Sequence, residues 1–304
     1  MSHSSVTSVG DAVFSRRSFL SGGSLLLGAT ALSLSRVERL LADNRPRPRV
    51  RAGLLTDVHY ADKDTAGTRH YRESIRKLDE ASGRFADAKP DFVVELGDLI
   101  DAADSVAAEK RFLQAINNRL TAAPSATHYV VGNHCVYTLT KEEFLGEVGQ
   151  PRSYHSFDVG GYHFVVLDAC FRTDGKPYGR RNFEWTDTNL PRQEIEWLTA
   201  DLAGTDRQVV LFIHQRLDVE NHYGVKNAPA VRQLLEASGR VLAVFQGHSH
   251  QNEHQEIAGI HYCTLAAVVE GSGAENNAYA TLEIYEDDLI RIDGFRRQTT
   301  YRWD

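Results

Sequence analysis

Five short motifs stand in a fixed order along this chain: Asp57-Val58-His59, Gly97-Asp98-Leu99-Ile100-Asp101, Gly132-Asn133-His134, His214 and Gly247-His248-Ser249-His250. Each follows a short apolar run, at residues 50–56, 92–96, 129–131, 209–213 and 241–246. Runs of that length read as buried strands, and in open α/β sheets ligands bind just past the carboxyl ends of the strands. Taken singly the motifs say little. An Asp after a strand is commonly a helix cap, a lone His after Val-Val-Leu-Phe-Ile is more often a core residue, and Gly-Asn-His is a common turn. His248-Ser249-His250 says more, because residues two apart on extended backbone point to the same side. Five strand ends that all carry Asp, Asn or His are hard to explain as packing. Together they offer hard oxygen and imidazole ligands with no thiolate, a set suited to two divalent or trivalent ions such as Mn, Fe or Zn.

The segments between the motifs read as the rest of an α/β fold. Helical periodicity covers 71–88, 105–120, 193–202 and 228–238, with Pro191 near the start of the third and Gly239 as the stop of the last. Residues 154–159 and 163–167 flank Gly160-Gly161, a hairpin signal. The tail reads as strands at 261–267, 278–285 and 289–295, and no internal repeat is visible.

The formal net charge is −7. An acidic body argues against nucleic-acid binding driven by the protein's own field. A phosphate substrate stays open, since bound metals dominate the local potential. The three cysteines, Cys135, Cys170 and Cys263, are odd in number and unpaired in spacing, so they are not a disulfide framework.

Residues 1–42 read differently. Ser15-Arg16-Arg17-Ser18-Phe19-Leu20 precedes a weakly apolar stretch to about residue 34 that is too short and too polar for a stable membrane span. The order matches a twin-arginine export signal, which implies the twin-arginine export machinery as a partner and an exported, periplasmic or extracytoplasmic location. Cleavage is expected between Ser33 and Ala42, with an uncleaved anchor as the alternative. A Pro/Arg linker at 43–49 then leads into a domain at 50–304.

The motif order and spacing resemble the calcineurin-like metallophosphoesterase superfamily, whose pattern is D-x-H, G-D-x-x-D, G-N-H-(D/E), an isolated H, then G-H-x-H. The resemblance implies a four-layer α/β/β/α sandwich of two mixed β-sheets. It implies Asp57, His59 and His250 around one metal, Asn133, His214 and His248 around the other, and Asp98 bridging both. His134 would not ligate; it would stabilise phosphate or protonate the leaving oxygen. Asp101 would orient a ligand or His134. The implied activity is hydrolysis of a phosphate ester or nucleotide diphosphate-type bond in a phosphorylated small molecule by metal-activated water.

Two positions depart from relatives. Cys135 stands where an acid often follows Gly-Asn-His; it reads as a small buried residue behind the site, and His134 is expected to lose its proton at a lower pH than in relatives with the acid unless Asp101 or another loop acid compensates. Asp101 stands where purple acid phosphatases place a Tyr, so a ferric–tyrosinate site is not expected. Tyr60, Tyr137, His222 and Tyr223 are candidates for the substrate pocket. Arg180-Arg181 read as a solvated pair, Trp185 and Trp197 as anchors of a long loop and its helix, and His155, His163, His254 and His261 as surface or hairpin residues. The segments 132–137 and 259–273 are similar to bacterial relatives of the Mn-dependent ADP-ribose/CDP-alcohol diphosphatases. A phosphomonoesterase, or an inactive metal-binding protein that recognises a partner, are the alternatives.

Overall fold

Strand β1 (Val50–Leu55) shows how the sequence builds layers. Val50, Ala52 and Leu54 lie in one core, while Leu55 lies in another. Gly53 between them faces the helix Ser74–Ala88, where a Cβ would stand 2.9 Å from the Phe85 ring. The alternation repeats in β2 (Phe92–Glu95), with Phe92 and Val94 on one side and Val93 on the other. In this computed structural model residues 47–122 and 125–304 are described. The expected export segment and residues 43–46 of the linker lie outside the described residues.

The first sheet runs β12-β11-β10-β1-β2-β3, adding β3 (Ala126–Tyr129), β10 (Ala278–Ile284), β11 (Ile290–Arg296) and β12 (Tyr301–Trp303). β1, β2 and β3 are parallel, and the rest pair antiparallel. The second sheet runs β4-β5-β6-β7-β9-β8, from β4 (His155–Val159), β5 (Tyr162–Val166), β6 (Val209–Phe212), β7 (Val241–Gln246), β8 (Glu253–Ile257) and β9 (Ile260–Thr264). Its inner four strands are parallel, with an antiparallel strand at each edge. Both sheets turn apolar faces to one shared core, where the rings of Phe92 and Phe164 meet edge to face at 4.9 Å. The helices Ser74–Ala88 and Val106–Leu120 cover the outer face of the first sheet. The helices Arg192–Ala203 and Ala228–Ser238 cover the second. This is the four-layer α/β/β/α arrangement.

Five elements depart from the periodicity. The helix expected over 71–88 begins as a 3-10 turn at Tyr71–Glu73. The helix Lys141–Val148, closed by a Thr140/Glu143 capping box, and the edge strands β8 and β12 are additions. β3 ends at Tyr129, the first residue of the run at 129–131, and Val130-Val131 instead lead into Gly132. Among the described residues no helix is long and apolar enough to cross a membrane.

Candidate metal centre

The parallel strands of both sheets deliver the motif residues to one place. Beyond the end of β1 the backbone pairing continues, with Asp57 N donating to Gly97 O at 2.9 Å and His59 N to Asp98 O at 2.7 Å. In the second sheet, past the ends of β6 and β7, Gly247 N donates to His214 O at 3.0 Å. Close approach at these crossings requires glycine. A Cβ on Gly132 would lie 2.2 Å from Asp98 Oδ1, and one on Gly247 would lie 2.1 Å from Thr56 Oγ1. Five motif residues turn sharply out of their strands with positive φ: Asp57 at 53°, His59 at 45°, Asp98 at 60°, His248 at 70° and His250 at 63°. His248 and His250 are therefore not on extended backbone, and they go to different neighbours.

Three sets of ligand-type atoms each lie within 4.8 Å of one another: Asp57, His59 and His250; Asp98, His214 and His248; and His59, Asp98 and His134. In the first, His59 Nε2 faces His250 Nε2 at 3.1 Å, and Asp57 Oδ1 is 3.5 Å from the former and 3.3 Å from the latter. Asp98 links the sets, since its Oδ2 is 3.5 Å from His59 Nε2 and 3.2 Å from His214 Nε2. Asn133, Asp98 and His248 line one cavity of ≈ 240 Å³ with His134 and His250.

The donor atoms themselves test whether metals fit. Asp57 Oδ1, Asn133 Oδ1, His214 Nε2 and His248 Nε2 are all buried without a hydrogen-bond partner. Asn133 and His248 line the cavity, and Asp57 and His214 lie directly behind its lining; four such atoms in one cluster are costly unless cations complete them. Asp57 and three of the imidazoles are fixed on their far sides by the protein. Asp57 Oδ2 accepts from Thr56 Oγ1 at 2.7 Å and from His248 N at 3.0 Å. His59 Nδ1 meets Asp101 Oδ2 at 3.1 Å, His250 Nδ1 meets Glu270 Oε1 at 2.6 Å, and His214 Nδ1 donates to Leu96 O at 2.8 Å. Such outer partners set the tautomer and turn Nε2 inward. The residues fit a pair of hard cations.

The field inside the site is strong. Burial opposes a charged His214, but Asp98 beside it raises its pKa to about 9. Burial likewise opposes charge on His250, and Asp57 and Glu270 raise it to about 9. His248 has no carboxylate so close; burial and then the His214 charge push it down to about 3. His134, with 26% of its side chain exposed, places Nδ1 3.2 Å from Asp101 Oδ1, within ion-pair range but off the line of a hydrogen bond. Burial disfavours its charge, yet Asp98 and Asp101 hold its pKa above the usual value.

Cys135 is fully buried among apolar side chains on the helix side of the first sheet. Burial, with Glu95 and Asp98 nearby, pushes its thiol well above the usual range. Tyr60 packs edge to face on Phe112 at 5.9 Å, and exposed Tyr137 sits against Phe183; neither lines the cavity. Arg180 and Arg181 are both exposed, as a solvated pair would be, and they also donate to Thr138 O and Ala103 O respectively, with Arg180 on Glu143 as well. Trp185 is not a buried anchor. It is 40% exposed and lines the cavity with Tyr223, its ring 5.7 Å from His222 and 5.4 Å from His248. Two further residues belong to the site from outside the five motifs. Arg69 lines the cavity, and Glu270 holds His250. The loop bearing Glu270 is fixed by Lys77, whose Nζ donates to Val268 O, Glu270 O and Gly271 O at 2.8, 2.9 and 2.7 Å.

A family model described as calcineurin-like phosphoesterase matches residues 50–252, about two thirds of the chain. The manganese-dependent ADP-ribose/CDP-alcohol diphosphatase of Xenopus laevis is 23% identical over 84% of this chain and 91% of its own length. The rice protein of the same name is 24% identical over 79% and 89%. A crystal structure of a dimetal phosphatase from Danio rerio superposes with a TM-score of 0.74 at 24% identity, covering 84% of this chain and 98% of that one. The chain belongs to the calcineurin-like phosphoesterase family, and it is a metal-dependent hydrolase of phosphoric ester or anhydride bonds.

Proposed function

From this membership we propose that the chain hydrolyses the diphosphate bond of a nucleotide-derived small molecule, with manganese as the first metal to test. The observation that carries this reading is a cluster of four buried, unpartnered ligand atoms in and directly behind the lining of one cavity of ≈ 240 Å³. The kinship with diphosphatases over most of both chains selects the bond. Asp57, His59 and His250 would hold one ion, Asn133, His214 and His248 the other, and Asp98 both. Bound there, the ions would clamp the phosphoryl group and supply a nucleophilic water at neutral pH. His134 gives the proton to the departing oxygen. Its Nδ1 is turned to Asp101, which leaves Nε2 for the substrate and keeps the imidazole charged when it is needed. Glu270, Asp101 and Leu96 O keep three imidazoles from rotating.

The purified protein, assayed against ADP-ribose, CDP-alcohols and phosphomonoesters with metal content measured in parallel, tests the proposal. Turnover confined to the diphosphates is the expected result. A preference for phosphomonoesters would make it a phosphomonoesterase, and bound metal without turnover on any substrate would make it a partner-recognition protein. We also propose export through the twin-arginine route, supported by Ser15-Arg16-Arg17-Ser18-Phe19-Leu20 ahead of the weakly apolar stretch. Arg16→Lys with Arg17→Lys should leave folded, active protein in the cytoplasm; unchanged export of the double variant removes the claim.

A further inference from the structure

The cavity over the metal-ligand atoms has two unlike ends. At the end beside His248 stand Trp185 and Tyr223, with ring centroids 5.4 and 5.7 Å from the imidazole and 5.9 Å from each other. Trp185 keeps 40% of its surface exposed at a polar site. Lys226 N donates to Thr188 O at 2.8 Å, which ties the two loops carrying these rings together. At the other end stands Arg69. Its nearest carboxylate is Asp101 Oδ2, at 3.8 Å, an oxygen already taken by His59 at 3.1 Å. Its backbone is pinned by a reciprocal pair of hydrogen bonds to Ala66, at 3.1 and 3.2 Å. A guanidinium on an anchored backbone with its donor fork unspent is suited to an anion. A flat, exposed aromatic face is suited to a base, which it stacks without regard to sequence.

Building on the diphosphatase reading above, we infer that Trp185 and Tyr223 stack the substrate's nucleobase and that Arg69 binds the phosphate farther from it. The cavity thus selects an ester of a nucleoside diphosphate and fixes its direction. With the base at the Trp185 end, the distal phosphate lies beside Arg69 and His134, which share Asp101. The distal half is therefore the leaving group. Water oxygen bonds to the phosphorus of the nucleoside phosphate as the bridging P–O bond to the distal phosphate breaks. The electron pair of that bond stays on the distal phosphate, which takes a proton from His134. The water's proton leaves to solvent, and His134 is reprotonated from solvent. The products are a nucleoside monophosphate carrying the water oxygen and an alcohol phosphate without it.

Three substrates separate the parts: ADP-ribose has both features, dimethyl diphosphate lacks the base, and the methyl ester of adenosine monophosphate lacks the second phosphate. Trp185→Ala should raise KM roughly five- to hundredfold for the two adenine substrates and leave dimethyl diphosphate unchanged. Arg69→Ala should raise KM about tenfold or more for the two diphosphates and spare the monophosphate ester. In water labelled with heavy oxygen, the wild type should place the label in adenosine monophosphate. Equal losses on all three substrates in Trp185→Ala, no loss on any, or label in the ribose phosphate would each overturn the inference. A wild type that ignores both diphosphates but cleaves phosphomonoesters would overturn the diphosphatase reading itself, and this inference with it.

Discussion

Around Asp57, both imidazoles are backed by carboxylates, His59 by Asp101 at 3.1 Å and His250 by Glu270 at 2.6 Å. Around Asn133, the first oxygen is neutral, His214 leans on a backbone carbonyl at 2.8 Å, and no carboxylate backs His248. One half of the centre is thus built from charge, the other from dipoles. A carboxylate behind an imidazole makes its inward nitrogen a stronger ligand, so the Asp57 half should hold its ion harder and favour a higher charge. The Asn133 half should exchange its ion more readily. It is also the half that carries the aromatic end of the cavity, while the proton donor and Arg69 stand toward the other.

Removing what the halves share should have the largest effect. Asp98→Asn should lower metal content by more than one equivalent per chain and activity on the order of a thousandfold or more. Retention of one full equivalent, read by metal analysis, would show that the halves stand independently. His134→Ala should keep both metals and lower kcat about 10²- to 10⁴-fold; metal loss as complete as in Asp98→Asn would put His134 among the ligands. Glu270→Gln should weaken only the Asp57 half, by about 10- to 100-fold in affinity. In a chelator titration its two steps of metal loss should merge or reverse order, and unchanged steps would erase the asymmetry. The smallest effects concern proton supply, measured at saturating metal. His134 must be protonated to donate, and Asp98 and Asp101 keep its pKa raised against burial. Asp101→Asn should therefore move the alkaline limb of kcat to lower pH. Cys135→Ala should leave that limb in place, because the thiol stays neutral and buried. A shift there would give the sulfur a role in the reaction.

The strands that carry the site were legible because alternation and burial write the same pattern, as in Val209-Val210-Leu211-Phe212 before His214. The edge strand β8 was not, because Glu-His-Gln-Glu-Ile presents polar side chains to solvent and shows no apolar period. The helix Lys141–Val148 had a signal in Thr140 and Glu143, but it is too short for periodicity to show. Arg69 and Glu270 illustrate a different limit. They reach the site from loops that an isolated two-residue bridge, Arg69 with Glu270, brings together across 201 positions of sequence. No local pattern encodes that meeting. Trp185 was visible as an aromatic in a long loop, yet whether such a ring anchors the loop or faces solvent depends on what the loop packs against.

The left-handed backbone at Asp57, His59, Asp98, His248 and His250 bears on how this protein can change. Residues with a Cβ lose roughly 1–2 kcal/mol each in that conformation, Asp somewhat less. Over five positions that is a sizeable share of the ~5–15 kcal/mol that holds a domain folded. Glycine would relieve it at any one of them, so selection for thermal robustness alone would erode the ligand set. Surrounding packing and hydrogen bonds offset that strain, and ions bound at the centre would add to the offset. Metal supply should then bear on the protein's abundance as well as on its activity.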